Sequence, residues 1–113
     1  MADTNMRRQR SEDRFVATVF QLEQVLKDFG LSACVVVDEG GRIVASVATN
    51  DEELDWSHEI PMLARQGRRR RGVSVCEFRA AGRPMFVATV GAALGSRDVG
   101  MYRAVLGLRR IHR

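Results

Sequence analysis

The sequence predicts an α/β domain of the α+β type, with a central, mostly antiparallel sheet of four or five strands and helices on both faces. Residues 33–47 have the pattern of a β-hairpin, and they follow an amphipathic helix directly. Their two β-branched runs meet at Asp38 to Gly41, whose glycines can adopt the positive φ of a tight turn. Apolar residues make up 45% and charged residues 28% of the chain, which is a globular composition. The expected order is helix, hairpin, helix, strands and helix.

The first helix is predicted to begin at Ser11 and to stop at Gly30. Ser11 can act as an N-cap, and Glu12 and Asp13 place negative charge in the first turn. The apolar stripe of this helix contains Phe15, Val16, Val19, Phe20, Leu22, Val25, Leu26 and Phe29. A stripe of this width must pack on the sheet or on a second copy of the chain.

The hairpin strands are predicted at about residues 33–38 and 42–49. Residues 34–37 are continuously apolar, whereas the second strand alternates less cleanly. The first strand is therefore expected in the centre of the sheet.

A second helix is predicted after Asn50 or Asp51, either of which can be its cap. Pro61 removes a backbone donor, so this helix is expected to kink or to restart near Glu59. It should end by Gly67.

A second hairpin follows, with strands at about residues 73–79 and 85–90 and a turn at residues 80–83. A last helix is predicted with Ser96 as its cap and Asp98 in its first turn. Its expected apolar stripe contains Val99, Tyr102, Val105, Leu106 and Ile111. Gly100 and Gly107 predict a face that is pressed closely against a neighbour. Tyr102 is interpreted as core or dimer packing.

The length of 113 residues fits one domain, assigned to residues 11–113, after a mobile basic tail at residues 1–10. No apolar run has the length of a membrane helix, and no signal peptide is evident, so the cytoplasm is the expected location. Cys34 and Cys76 lie in strand-like runs and are interpreted as buried thiols. His58 and His112 are far from both, so no metal or cofactor is expected.

The net charge is +4, and Lys27 is the only lysine. We attribute the general preference for arginine to base composition. The run Arg68 to Arg71 is interpreted as a solvated loop, or as a contact for an acidic groove on a partner protein. Nucleic acid is a disfavoured partner because no aromatic residues are interleaved with the run.

Two segments, residues 22–30 (LEQVLKDFG) and residues 33–46 (ACVVVDEGGRIVAS), resemble the opening of the roadblock family of dynein light-chain-type domains. The similarity covers residues 15 to about 66 well and the remainder loosely. Members of the family usually have three strands after the second helix, whereas only two can be placed here. Either residues 91–95 hold a short fifth strand, or the sheet has four.

The resemblance implies a non-enzymatic platform that forms a homodimer, or a heterodimer with a paralogue, through its sheet edge and second helix. It also implies that a small Ras-like GTPase is the partner, and some bacterial relatives act as GTPase-activating proteins. Other family roles are those of scaffolds in signalling or polarity complexes. The candidate partner or dimer interface contains Trp56, His58, Met62, Arg65, Arg68, Arg69, Arg70 and Arg71.

No catalytic residues are predicted, because neither a phosphate-binding glycine motif nor a plausible acid–base pair is present. Asp38 and Glu39 are explained by the turn, and His58 by the helix surface. Two other functions are weighed. One is a GAF- or PAS-like sensor with a ligand pocket formed by Cys76, Tyr102 and the second helix. The other is an arginine-rich adaptor for nucleic acid or a membrane surface.

Overall fold

A computed structural model describes the backbone of residues 2–49 and 54–113 and the side chains of residues 12–49 and 54–113. The chain folds around a single sheet. Its elements are α1 (Ala2–Phe29), β1 (Ala33–Asp38), β2 (Ile43–Ala48), a 3₁₀ turn (Asp55–Glu59), α2 (Ile60–Gln66), β3 (Val73–Ala80), β4 (Arg83–Val90) and α3 (Leu94–Ile111).

The sheet has four strands in the order β2-β1-β4-β3, and every neighbouring pair is antiparallel. The predicted central position of β1 is confirmed. Among the described residues no fifth strand exists at residues 91–95, because the chain passes from β4 directly into α3. The open edges of the sheet are therefore β2 and β3.

The sheet is covered on both faces, as predicted. Alternate residues of the two central strands point in opposite directions. On one face Cys34, Val36 and Val87 belong to the cluster that α1 and α3 cover. On the other face Val35 and Phe86 belong to the cluster that contains residues of the 3₁₀ turn and α2.

The first hairpin turn is held by an aspartate. The Asp38 carboxylate accepts hydrogen bonds from the backbone amides of Gly40 and Arg42, both at 2.9 Å. Of the two glycines that the sequence offered, only Gly41 has a positive φ, at +81°. The pairing of β1 with β2 is irregular between Val36 and Val37, next to this turn.

The second helical segment consists of the 3₁₀ turn and then α2, which begins next to Pro61. The 3₁₀ turn ends at Glu59, and Pro61 lies in the first turn of α2, where its missing donor removes no intrahelical bond. Gly67 ends α2 in the left-handed conformation with φ +63°. The predicted caps Asn50 and Asp51 lie outside the described residues.

Both predicted serine caps are wrong. Helix α1 begins at Ala2, before Ser11, and residues 2–11 contain neither glycine nor proline to stop it. Helix α3 begins at Leu94, so Ser96 lies inside its first turn. The mobility expected for residues 1–10 stays a prediction.

Helix α3 is held at its start by an arginine instead of a cap. Arg97 is only 9% exposed. Its guanidinium donates to the backbone carbonyls of Gly91, at 2.6 Å, and Ala92, at 3.3 Å. These contacts fix the chain that enters the helix.

The predicted apolar stripe of α3 is wrong in its main part, because Val99, Tyr102 and Leu106 are exposed. The face that packs inward contains Arg97, Gly100, Ala104, Gly107 and Leu108. Small residues are inward because α3 lies close to α1: a Cβ at Gly107 would overlap the side chain of Gln21. The closely packed face inferred from the two glycines is confirmed.

The stripe of α1 divides in a similar way. Leu22 and Val25 are fully buried and pack on the sheet. Phe15, Val16 and Phe20, which were expected in the same stripe, are exposed.

Replacing Gly41 with alanine should destabilise the fold by about 2 kcal/mol, at the upper end of what a positive φ alone costs. A Cβ at this position would be 2.8 Å from the backbone carbonyl oxygen of His58, which cannot rotate away. Urea unfolding at equilibrium measures the change. Gly82→Ala is the matched control, since Gly82 has φ +76° but no atom within 4 Å of an added Cβ. Equal losses in the two variants would show that the contact with His58 is unimportant.

Candidate functional site

The residues predicted from the sequence to contact a partner all lie on the 3₁₀ turn, on α2 or in the loop at residues 67–72. These elements cover one face of the sheet and lead into the edge strand β3. The structure therefore places them in one region. It gives them different environments.

Trp56 packs inside this region. Its side chain is 6% exposed and belongs to the same apolar cluster as Ile60 and Phe86. The guanidinium of Arg70 lies 5.0 Å from the centre of the indole ring. Arg70 also approaches Glu59 at 4.0 Å. Trp56 thus holds the 3₁₀ turn on the sheet and orients one arginine of the run.

Arg65 joins three elements of the fold. Its Nε donates to the carboxylate of Glu77 on β3 at 2.8 Å, and its Nη2 donates to Glu39 at the hairpin tip at 3.2 Å. The guanidinium also lies 5.1 Å from the ring centre of Phe86. The hydrogen bonds with Glu77 and then Glu39 raise the pKa of Arg65 above its usual value. Its neighbours hold this arginine in place, although it is half-exposed.

His58 and Met62 are exposed members of the region. The Nδ1 atom of His58 donates to the backbone carbonyl of Asp55 at 2.8 Å, which fixes the ring on the surface of the 3₁₀ turn. Met62 is an exposed large apolar side chain on α2. Both can touch a partner without any rearrangement of the core.

The arginine run borders an open cleft of about 570 Å³ beside β3. Apolar side chains and basic side chains both line it. The lining residues are Leu63, Ala64, Gly67, Arg68, Arg69, Arg70, Arg71, Gly72, Val73, Ser74, Val75, Leu94, Arg97, Asp98 and Met101. Within the described chain Arg68, Arg69 and Arg71 form no ion pair. The cleft therefore offers apolar side chains together with unneutralised positive charge.

Sequence reasoning missed a polar network at the far side of this cleft. The Ser74 hydroxyl donates to the Asp98 carboxylate at 2.8 Å, and Arg97 donates to the same hydroxyl at 3.3 Å. No local sequence pattern predicts this network, because Ser74 lies on β3 whereas Arg97 and Asp98 lie on α3. It ties the start of α3 to the edge strand.

The two thiols are poorly suited to chemistry. Burial raises the pKa of Cys34 to about 12 and that of Cys76 to about 11. Both cysteines are free. In the described parts of the chain, no cluster of three or more metal-ligating side chains is found. Within residues 2–49 and 54–113, no helix is long and apolar enough to cross a membrane.

The native protein at pH 8 should react with a thiol reagent at least about a hundredfold more slowly than free cysteine, since the thiolate is the reactive form. Absorbance of the released thiol anion follows the reaction. Unfolding in urea is the control and should restore the ordinary rate. A native thiol that reacts at the rate of free cysteine would contradict the raised pKa values of buried Cys34 and half-buried Cys76.

No family model and no curated protein matches the sequence. Solved structures do match the fold. The gliding protein MglB from Thermus thermophilus has a TM-score of 0.62 at 19% identity, over 88% of this chain and 90% of that chain. A structure described as MglB with tetrameric arrangement has a TM-score of 0.63 at 17% identity, with the same two coverages of 88% and 90%. Myxococcus xanthus MglB has a TM-score of 0.60 at 14% identity, over 86% of this chain and 88% of that chain. The chain thus has the roadblock-type fold of these MglB structures, as its resemblance to the roadblock family implied.

Proposed function

We propose that this chain is a non-enzymatic, dimeric roadblock-type module that binds a small Ras-like GTPase and regulates it or scaffolds a signalling or polarity complex. The observation that carries the proposal is the likeness in fold to MglB over most of both chains. The resemblance of residues 15 to about 66 to the roadblock family supports the proposal independently of the fold. A GTPase is the partner that this family implies.

The edge strand β3 supports dimerisation. It is 8 residues long, and β4 is the strand that pairs with it; at its start Val73 also forms an isolated bridge with Arg70 in the loop. A strand with only one partner strand offers a template for another strand. The other edge strand, β2, is 6 residues long, and its pairing with β1 is irregular. Bulges of that kind protect an edge, so β3 is the better site for a second copy.

The neighbouring face adds apolar area to the same contact. Val73 and Val75 are only partly buried where they pack against the cluster under α2. Helix α2 is 7 residues long and covers a small area. A second copy at β3 would cover the remaining apolar surface and Met62.

The arginine loop fits an acidic partner surface. Arginine recognises carboxylates by planar, bidentate hydrogen bonds. Arg68, Arg69 and Arg71 are exposed and carry the positive charge that remains unneutralised beside β3. Arg70 is occupied by Trp56 and Glu59, so it supports the loop more than it faces outward.

The ligand-sensor function is not adopted. It needs Tyr102 in the wall of a buried pocket, and Tyr102 is 66% exposed. The arginine-lined cleft favours one second candidate function, which is binding of a polyanion such as nucleic acid or an anionic membrane.

Light scattering measures the mass of the chain alone and with the Ras-like GTPase encoded nearest to it, loaded in turn with a GTP analogue and with GDP. We expect a dimer that gains mass with one nucleotide state only. A monomer that is indifferent to both states would overturn the proposal.

Val75→Lys should convert that dimer to a monomer, because a lysine on an edge strand opposes pairing with another strand. Ile43→Lys on the opposite edge is the matched control, since Ile43 is exposed and lies on β2. Circular dichroism verifies that both variants remain folded. A dimer that survives Val75→Lys would exclude the β3 edge as the interface.

Replacing Arg68, Arg69 and Arg71 with serine should weaken GTPase binding at least about tenfold and flatten its dependence on salt. Titration calorimetry at two salt concentrations measures both effects. Arg109 and Arg110, which are exposed at the far end of α3, supply the control variant with serine at both positions. Binding of duplex DNA that is lost in the loop variant, with GTPase binding unchanged, would favour the polyanion candidate.

A further inference from the structure

The arginine-lined cleft beside β3 contains a buried positive charge that no carboxylate neutralises. Arg97 is 9% exposed and belongs to the lining of this cleft. Its hydrogen bonds go to the backbone carbonyls of Gly91 and Ala92 and to the hydroxyl of Ser74, which are all uncharged groups. Within residues 12–49 and 54–113 it forms no ion pair. A buried charge is costly without an opposite charge beside it, so this guanidinium favours an anion.

One nitrogen of this guanidinium is available to a ligand. The Nε and Nη1 atoms of Arg97 donate its three hydrogen bonds, whereas Nη2 donates none to the described chain. No buried side-chain nitrogen or oxygen among the described residues lacks a hydrogen-bond partner, so Nη2 reaches solvent. Because Arg97 lines the cleft, a ligand in the cleft can accept a hydrogen bond from Nη2.

Three arginines of the neighbouring loop add charge to the same cleft. Arg68, Arg69 and Arg71 line it, are exposed and form no ion pair with any described residue. The loop that carries them is anchored, because the guanidinium of Arg70 lies 5.0 Å from the centre of the Trp56 ring. A cleft lined by charges of one sign raises the local concentration of ions of the opposite sign.

The start of α3 has the same polarity. Leu94, the first residue of this helix, lines the cleft, and the preceding Ala93 supplies no side-chain cap. The first backbone amides of an 18-residue helix form the positive end of its dipole. Together with Nη2 of Arg97, this end of the helix favours an anion in the cleft.

The balance of charge indicates how much negative charge the ligand carries. Asp98 is the single acidic side chain among the described residues that line the cleft, and its carboxylate already accepts a hydrogen bond from Ser74. Four unpaired arginines and one aspartate leave an excess of three positive charges. A single carboxylate would neutralise only one of them. A phosphate monoester carries about −1.5 to −2 at pH 7, and a second linked phosphate adds further negative charge.

The size of the cleft fits a small molecule. Its volume of about 570 Å³ lies within the range of roughly 300–1,000 Å³ that is typical of small-molecule sites. Leu63, Val75 and Met101 supply apolar contacts in the lining. A nucleic-acid duplex or a membrane surface is a poorer occupant, because only a small group can approach a guanidinium that is nine-tenths buried.

We propose that the arginine-lined cleft binds a small organic diphosphate of the nucleoside diphosphate class. Its phosphate oxygens accept hydrogen bonds from Nη2 of Arg97 and from the arginines at positions 68, 69 and 71. Its apolar or aromatic body packs against the apolar side chains of the lining. This cleft is different from the pocket predicted for a ligand sensor, because neither Cys76 nor Tyr102 lines it. The site uses residues of one copy, so it goes beyond the proposed function and does not rest on it.

The first test is titration calorimetry of the full chain with ADP, AMP and inorganic pyrophosphate, without added divalent cations. We expect ADP to bind at least about tenfold more tightly than AMP, because its second phosphate meets arginines that a single phosphate leaves unpaired. Pyrophosphate should bind more weakly than ADP, because it has no apolar body. Absence of ADP binding, equal affinities for ADP and AMP, or pyrophosphate binding as tight as that of ADP would each overturn the proposal.

The second test removes the charge of the loop. R68S/R69S/R71S should weaken ADP binding at least about tenfold, because three charge-assisted hydrogen bonds are lost. R103S/R109S/R110S is the matched control, since it removes the same number of exposed arginines from α3, and none of the three lines the cleft. An equal loss in the two variants would reduce the effect to general attraction by a basic protein and would overturn the proposal.

The third test concerns Arg97 itself. Arg97→Lys keeps the positive charge but lacks Nη2, so it should weaken ADP binding at least about tenfold. Because Arg97 also holds the chain at the start of α3, a second measurement uses the wild-type protein. In protein with ¹⁵N-labelled arginine, the Nε resonance of Arg97, assigned by through-bond experiments, should shift on addition of ADP. ADP binding that leaves this resonance unmoved would place the ligand elsewhere and refute the site.

The outcomes are separate from those for the proposed function. A protein that binds ADP in this way but remains a monomer and ignores the GTPase would retain the diphosphate site and lose the proposed function. A dimer that binds the GTPase but not ADP would retain the proposed function and lose the diphosphate site.

Discussion

The burial of β1 and β4 on both faces is the constraint on which the rest of the structure depends. Val35, Val36 and Val37 are consecutive and fully buried, so their side chains alternate between two separate apolar clusters. A strand of this kind is stable only between two covering layers, since water on either side would expose half of its side chains. Helices α1 and α3 form one layer, and the 3₁₀ turn with α2 forms the other. The positions of all other elements follow from this sandwich.

The close contact between α1 and α3 explains why large apolar residues face solvent. Gly100, Ala104 and Gly107 point inward, and the side chains of Leu31 and Gln21 approach the two glycines so closely that an added Cβ would crowd them. On a helix, the residues on the opposite side are then outward, and in α3 these include Tyr102 and Leu106. Periodicity alone favoured the larger residues for the core, so the sequence predicted the correct helix with the wrong face inward. Packing distance, which a pattern does not contain, decides between the two faces.

Features that depend on neighbouring residues were predicted well, and features that depend on distant ones were not. The turn at Asp38 to Gly41, the restart at Pro61 and the stop at Gly67 each rest on backbone preferences of the residue itself. The start of α3 does not. It is fixed by the buried guanidinium of Arg97, whose hydroxyl partner Ser74 lies on another element. The residues of the predicted interface lie in one region because they are close in sequence, whereas the partners of Arg65 could not be predicted, since strand register brings Glu77 to it.

The arginines of this protein have separable roles, which base composition does not explain. The guanidinium of Arg65 lies over the ring of Phe86, and that of Arg70 lies over the ring of Trp56. Arg97 donates from Nη1 to two backbone carbonyls and from Nε to the Ser74 hydroxyl. Lysine is a poor replacement at these positions, because its single ammonium group lacks the planar, delocalised guanidinium with its several donor nitrogens. Arg68, Arg69 and Arg71 make no such contact, so their charge is available to a partner. The four arginines of the run therefore have two roles. Arg70 anchors the loop to Trp56, and the anchored loop presents Arg68, Arg69 and Arg71 beside the open edge of β3.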